Sequence, residues 1–99
     1  MLRGRRRRGL RGRLPKPVRL GIQPPVSKFI PFPQIDPSPI YLELEELEVL
    51  RLVDLEGLSQ DEAGVRMGVS RGTIWRLLQS AREKVVRSLI EGRPLFIVQ

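Results

Sequence analysis

The chain has 99 residues, a net charge of +7 at pH 7, no cysteine and no histidine. These counts exclude a disulfide framework and a thiolate metal site, remove the commonest general base and zinc ligand, and favour a polyanionic partner. No apolar run approaches the roughly 18–20 residues of a membrane span, and no hydrophobic signal core follows the basic start, so a cytoplasmic protein away from membranes is expected.

Charge is zoned along the chain. Residues 1–28 hold eight Arg and two Lys without an acid, residues 29–62 hold nine acids against Arg51, and residues 63–99 hold seven bases against Glu83 and Glu91. Two basic zones thus flank an acidic one, whereas mere solubility would intersperse the signs. Eight of the nine prolines fall in residues 1–40, which leaves a foldable part small enough to be marginal by surface-to-volume scaling. Help from a terminal strand or a second subunit is expected.

The opening, MLRGRRRRGLRGRLPKP, has seven Arg and three Gly in its first 13 residues. It holds too little apolar surface to offset its ordering entropy, so residues 1–15 are expected to form a disordered arm. Arg5, Arg6, Arg7, Arg8, Arg11 and Arg13 would then make non-specific phosphate contacts. The alternatives are a solvated tail or residues upstream of the true start. RGRLP, residues 11–15, is one residue away from the Arg-Gly-Arg-Pro core of an AT-hook, which reads the narrow minor groove. A transit peptide would fit the Arg-rich, acid-free start, but only one serine precedes Asp36.

Residues 16–40 form an extended, proline-punctuated segment. Val18, Leu20 and Ile22 alternate, which suggests a short edge strand over 17–22. The remainder should drape over the helices through Phe29, Ile30 and Phe32. LELEELEVLRLVDLEG, residues 42–57, predicts the first helix, with Leu44, Leu47, Leu50, Leu55 and Leu58 as its buried stripe and Gly57 as its cap. Glu43, Glu45, Glu46 and Glu48 suit the positive end of the helix dipole and read as a solvated helix start rather than a metal or acid site.

Ser59 and Glu62 make the Ser-x-x-Glu capping box and open a short helix to about Met67. Gly68 can take the positive φ that leaves it, Val69 plugs the corner, and Ser70 caps the next helix, such a cap being worth about 1 kcal/mol. That helix is predicted over 71–91, with Ile74, Leu77, Leu78, Ala81, Val85 and Leu89 on its apolar face. Gly92 and Pro94 end it. PLFIVQ, residues 94–99, reads as a terminal strand that pairs with 17–22 in the same chain or in a partner.

The predicted fold is therefore mainly α: a three-helix helix-turn-helix domain over 41–99 with an extended N-terminal segment and a short C-terminal strand. The major groove of B-DNA, about 12 Å wide, admits one helix, and the preceding helix holds it at a fixed angle. The DNA-facing set is Gln60, Ser70, Arg71, Thr73, Trp75, Arg76, Gln79 and Arg82. Arg76 can pair with guanine, Gln79 with adenine, and Thr73 with a phosphate or a thymine methyl. Ser70 and Arg71 sit where a helix start favours phosphate, and Gln60 can touch the backbone. Trp75 can pack on DNA, on a dimer partner or back on the N-terminal segment. The alternative is an ordinary helical hairpin with a soluble face.

LEVLRLVDLEGLSQDEAGVRMGVSRGTIWRLLQSAREKV, residues 47–85, resembles region 4 of bacterial sigma factors, a helix-turn-helix that reads the −35 promoter element. From about Lys16 the chain more closely resembles a prokaryotic family of small predicted DNA-binding proteins, domain of unknown function 134. The basic start, the helical block and the Gly-Arg-Pro-Leu of residues 92–95 carry that resemblance. It implies sequence-directed DNA binding. Gly64 stands where the motif usually has Ala, which should loosen the helix by roughly 1 kcal/mol. Leu77 stands where sigma region 4 typically has Arg, and the other sigma regions are not in this sequence. A stand-alone transcription regulator, dimeric on double-stranded DNA, is the expectation. An RNA- or ribosome-associated protein using the arm is one alternative. A protein-interaction module that meets RNA polymerase through the acidic helix is another. No catalytic set, cofactor or metal site can be assembled from these residue types.

Overall fold

The computed structural model describes residues 18–98, so the six arginines assigned to the arm lie outside the described residues. In chain order the elements are β1 (Lys28–Phe29), β2 (Ile40–Glu43), α1 (Leu44–Val49), α2 (Gln60–Met67), α3 (Arg71–Glu91) and β3 (Leu95–Val98). α1 runs directly into a π-helical stretch, Leu50–Leu55. Three helices therefore pack on a three-stranded sheet of order β1-β3-β2.

Local capping decides α2 and α3, and both have the bounds read from the sequence. Ser59 Oγ accepts the Glu62 N–H at 3.1 Å, and a Glu62 carboxylate oxygen accepts the Ser59 N–H at 2.8 Å. Gly68 and Gly92, at φ 73° and 65°, take the left-handed conformation that ends each helix.

The sheet corrects the expected pairing. β3 was to lie beside residues 17–22; it runs instead between β1, antiparallel, and β2, parallel, in the same chain. Residues 18–22 form no strand because their donors are used elsewhere. The Arg19 N–H bonds the Met67 carbonyl at 2.9 Å, and the Gly21 N–H bonds a Glu48 carboxylate oxygen at 2.8 Å. Ile40 and Leu42 face inward opposite Leu95 and Ile97, while Tyr41 faces outward opposite Phe96. On that outer face the Tyr41 and Phe96 rings meet edge to face at 5.7 Å, and the Lys28 ammonium lies 5.2 Å from the Phe96 centroid. A parallel pair needs a long crossover, and here it comprises all three helices. α1 consequently starts at Leu44 rather than 42.

Leu42, Val49, Leu52, Ala63, Met67, Ile74, Leu78 and Ala81 form the core, with Val18, Leu47, Leu50, Leu58, Val69 and Leu77 packed around them. Four predicted core residues are outside it: Leu44 and Val85 are half-buried, Leu55 is 80% exposed and Leu89 is 77% exposed. The π-helical turn, closed by the Glu56 N–H on the Arg51 carbonyl, adds a residue per turn and rotates Leu55 to solvent. Leu89 lies beyond Ala81, the last fully buried position of α3. Phe29, Ile30 and Phe32 are also exposed; Phe29 lines a cleft with Leu47, Leu50 and Leu55 beside α1, while the segment joins the sheet edge through β1.

The acidic run is only partly a solvated start. Glu46 and Glu48 are buried. Glu46 accepts from Lys84 Nζ at 2.7 Å, from the Ser80 hydroxyl and from the Glu43 N–H. It therefore ties α1 to α3. Glu48 receives the Arg51 guanidinium through two bonds of 3.0 Å, and Arg51 also holds Glu56. Burial would push the Glu48 carboxyl up, but the Arg51 fork and the Gly21 N–H outweigh it and hold it below its ordinary value.

Candidate nucleic-acid interface

The corner between α2 and α3 is built from short-range bonds. Gly64 O accepts both the Gly68 N–H, at 2.8 Å, and the Val69 N–H, at 3.0 Å. Backbone and side chain meet closely here: a Cβ on Gly64 would lie 2.8 Å from the Val69 carbonyl oxygen. Gly64 thus lets the turn fold against α2, which corrects its reading as a mere loosening of the helix. The α2 end is closed from outside by Arg19, whose guanidinium donates to the carbonyls of Val65, at 2.6 Å, and Arg66, at 3.2 Å. Nothing in the sequence marks Arg19 for this role, because its partners are 46 and 47 residues away.

α3 then begins in a defined way. Ser70 Oγ accepts the Thr73 N–H at 3.1 Å and lies 2.9 Å from Thr73 Oγ1. Thr73 Oγ1 in turn receives Arg76 Nη2 at 3.3 Å. Ile74 and Leu78 point into the core, so helical geometry turns Gly72, Trp75, Arg76 and Gln79 outward; all four are exposed. Trp75 is 53% exposed. At Gly72 an added Cβ would meet only Arg76 Nη1 and Ser70 Oγ, at 3.8 and 3.9 Å, so another surface can approach the helix backbone there.

The predicted residues divide into two groups. Ser70, Arg71, Thr73, Trp75, Arg76 and Gln79 come together on the first two and a half turns of α3. Gln60 opens α2, half-buried, and Arg71 lies 4.0 Å from Asp61 in the α2 first turn. Arg82 does not join this group freely. Its guanidinium forks onto Asp54 at 2.6 and 3.1 Å, and that bond, against the cost of burial, holds the Asp54 carboxyl below its usual value. Arg76, by contrast, has no carboxylate partner among the described residues. Among the described residues, no helix is long and apolar enough to cross a membrane.

A family model described as "Protein of unknown function DUF134" matches residues 1–99. A UPF0251 protein of Thermococcus kodakarensis is 56% identical over 82 residues, covering 80% of this chain and 73% of that protein. Another, from Pyrococcus furiosus, is 54% identical over 91 residues, 89% of this chain and 84% of that protein. A third, from Archaeoglobus fulgidus, is 40% identical over 89 residues, 90% of this chain and 85% of its own. No solved structure matches the chain. The chain belongs to the DUF134 family.

Proposed function

We propose that this DUF134 chain is a sequence-specific double-stranded DNA-binding protein and a transcriptional regulator, reading the major groove with the N-terminal half of α3. The observation that carries this reading is the Arg76 guanidinium, without a carboxylate partner among the described residues. It stands on an exposed helix face between Gly72 and Gln79, aimed only by the Thr73 hydroxyl. Most other described arginines are held by carboxylates or carbonyls of their own chain.

The reading of this corner as a helix-turn-helix is supported by its local locks. α2 is locked by its capping box, the corner by Gly64 and Gly68, and the start of α3 by Ser70. A groove-reading helix needs that rigidity, because base discrimination depends on fixed donor positions. Arg76 suits the guanine O6 and N7 pair, worth roughly 1–3 kcal/mol of discrimination, and Gln79 suits adenine. Ser70, Arg71 and the bare Gly72 backbone lie at the positive helix end, where a phosphate is favoured.

The test is selection of bound sequences from a random duplex pool by three proteins: the full chain, a chain beginning at Leu14, and Arg76→Ala. One motif from the first two, lost or relaxed with Arg76→Ala, is the expected result. Binding without any motif, abolished by loss of the arm, would overturn it in favour of RNA or a protein partner such as RNA polymerase.

A further inference from the structure

The C-terminal half of α3 has a second face with no task in the monomer. Val86, Leu89 and Ile90 are exposed there, the last two at 77% and 80%. Ile35, also exposed, is held at the C-terminal end of the same helix by its N–H bond to the Gly92 carbonyl at 3.0 Å. None of the four belongs to the core.

We infer that a second copy of this chain docks on this face, α3 against α3 and antiparallel, with the two-fold axis level with Ser88. Self-complementarity selects that occupant. A two-fold at this level sets Val86 opposite the partner's Ile90 and Leu89 beside the partner's Leu89. The charges around the trio ask for no partner of opposite sign. Arg87 already bridges Glu83 at 2.7 Å and Glu91 at 2.9 Å, and Arg93 holds Glu91 at 2.9 Å. Four such side chains remove on the order of 400 Å² of apolar surface per copy, so a symmetric pair comes close to the roughly 1,000 Å² of a stable contact once its rim is counted.

Spacing supplies an independent reason, which rests on the DNA-binding reading above. Arg76 lies 12 residues before Ser88 on an uninterrupted α-helix. At about 1.5 Å per residue, the two Arg76 side chains of an antiparallel pair stand about 36 Å apart along the helix direction. Two half-sites one turn apart on DNA are separated by about 34–36 Å. At about 100° per residue, the Val86, Leu89 and Ile90 directions average about 50° from those of Gly72, Arg76 and Gln79. The reading residues stay clear of the docked stretch because Gln79 lies about two turns before Val86 on α3, and the two-fold turns both sets to the same side of the pair.

Sedimentation equilibrium of the full chain without DNA tests the docking. The expected result is a dimer in the micromolar range. Leu89→Glu with Ile90→Glu should give a monomer of unchanged thermal midpoint, because a single copy buries neither side chain. A wild-type monomer throughout that range overturns the inference. So does a double variant that stays dimeric, or a monomer produced by Leu55→Glu on the exposed side of the π-helical stretch. The register has its own readout, since the chain lacks cysteine. Val86→Cys and Ile90→Cys chains, mixed and oxidised, should cross-link to each other more than to themselves; equal or absent mixed product overturns the antiparallel arrangement. Loss of the dimer with motif selection intact removes this inference alone. A dimer without motif selection removes the DNA reading alone.

Discussion

Gly64 and Glu48 show how far a single residue type can mislead when its neighbours are distant in sequence. Helix propensity alone would have Gly64→Ala stabilise α2 by about 1 kcal/mol, or about 4–8 °C in a domain of this size. The Val69 carbonyl, 2.8 Å from the position of the added Cβ, leads to the opposite expectation. Gly64→Ala should not raise the thermal midpoint and should lower it; a calorimetric increase of several degrees would show that the corner relaxes freely. Glu48 is held below its ordinary value, so its contribution to stability is complete above the free-glutamate range near ~4.3 and is lost as pH falls through the lowered value. Denaturant unfolding across pH 5 to about 3 should therefore show a shallower loss for Glu48→Gln than for the natural chain. Equal slopes would mean that Arg51 and Gly21 do not stabilise the carboxylate. Such pairings were invisible in the string of glutamates because Gly21 lies 27 residues away.

At the scale of elements, α2 and α3 were legible to their bounds, and the first helix was legible in its place but not in its period. Ser59, Glu62, Gly68, Ser70 and Gly92 act within a few residues of one another, and local bonds are what a sequence displays. The leucine stripe of the first helix assumed a uniform period of 3.6. The π-helical stretch breaks that period, burying Leu52 fully while Leu55 is 80% exposed. Leu52→Ala should accordingly cost about 2–5 kcal/mol in urea unfolding, whereas Leu55→Ala should stay within about 0.5 kcal/mol. Similar losses from both would restore the uniform stripe. IYLE, residues 40–43, combines strand alternation with proximity to a strong helix, and only the partner strand β3 settles which signal prevails.

Across the whole molecule, charge zoning separates two tasks. The acids of the middle zone are partly consumed in holding the fold: Glu46 with Lys84, Glu48 and Glu56 with Arg51, Asp54 with Arg82. The Lys84 and Arg82 pairs cancel basic charge at the middle of α3 and leave its first turns positive. On the proposed function, the arm adds phosphate contacts whose affinity scales with salt at about −0.9 per phosphate neutralised. A chain beginning at Leu14 should keep the selected motif but bind more weakly, with a salt slope shallower by several units in fluorescence anisotropy titrations. An unchanged slope would place the arm away from DNA.

The residue string by itself determined the bounds of α2 and α3, the glycine corner between them, the capping serines and the outward set at Arg76 and Gln79. Each depends on chemistry within one or two helical turns. Tertiary structure alone decided the place of β3 between β1 and β2, the burial of Glu46 and Glu48, the fork of Arg82 on Asp54 and the clasp of Arg19 on the end of α2. Those choices join residues 27 to 47 positions apart, or strands separated by the full helical crossover. Their free energy comes from partners that no local pattern names, so they become readable only once the chain has closed on itself.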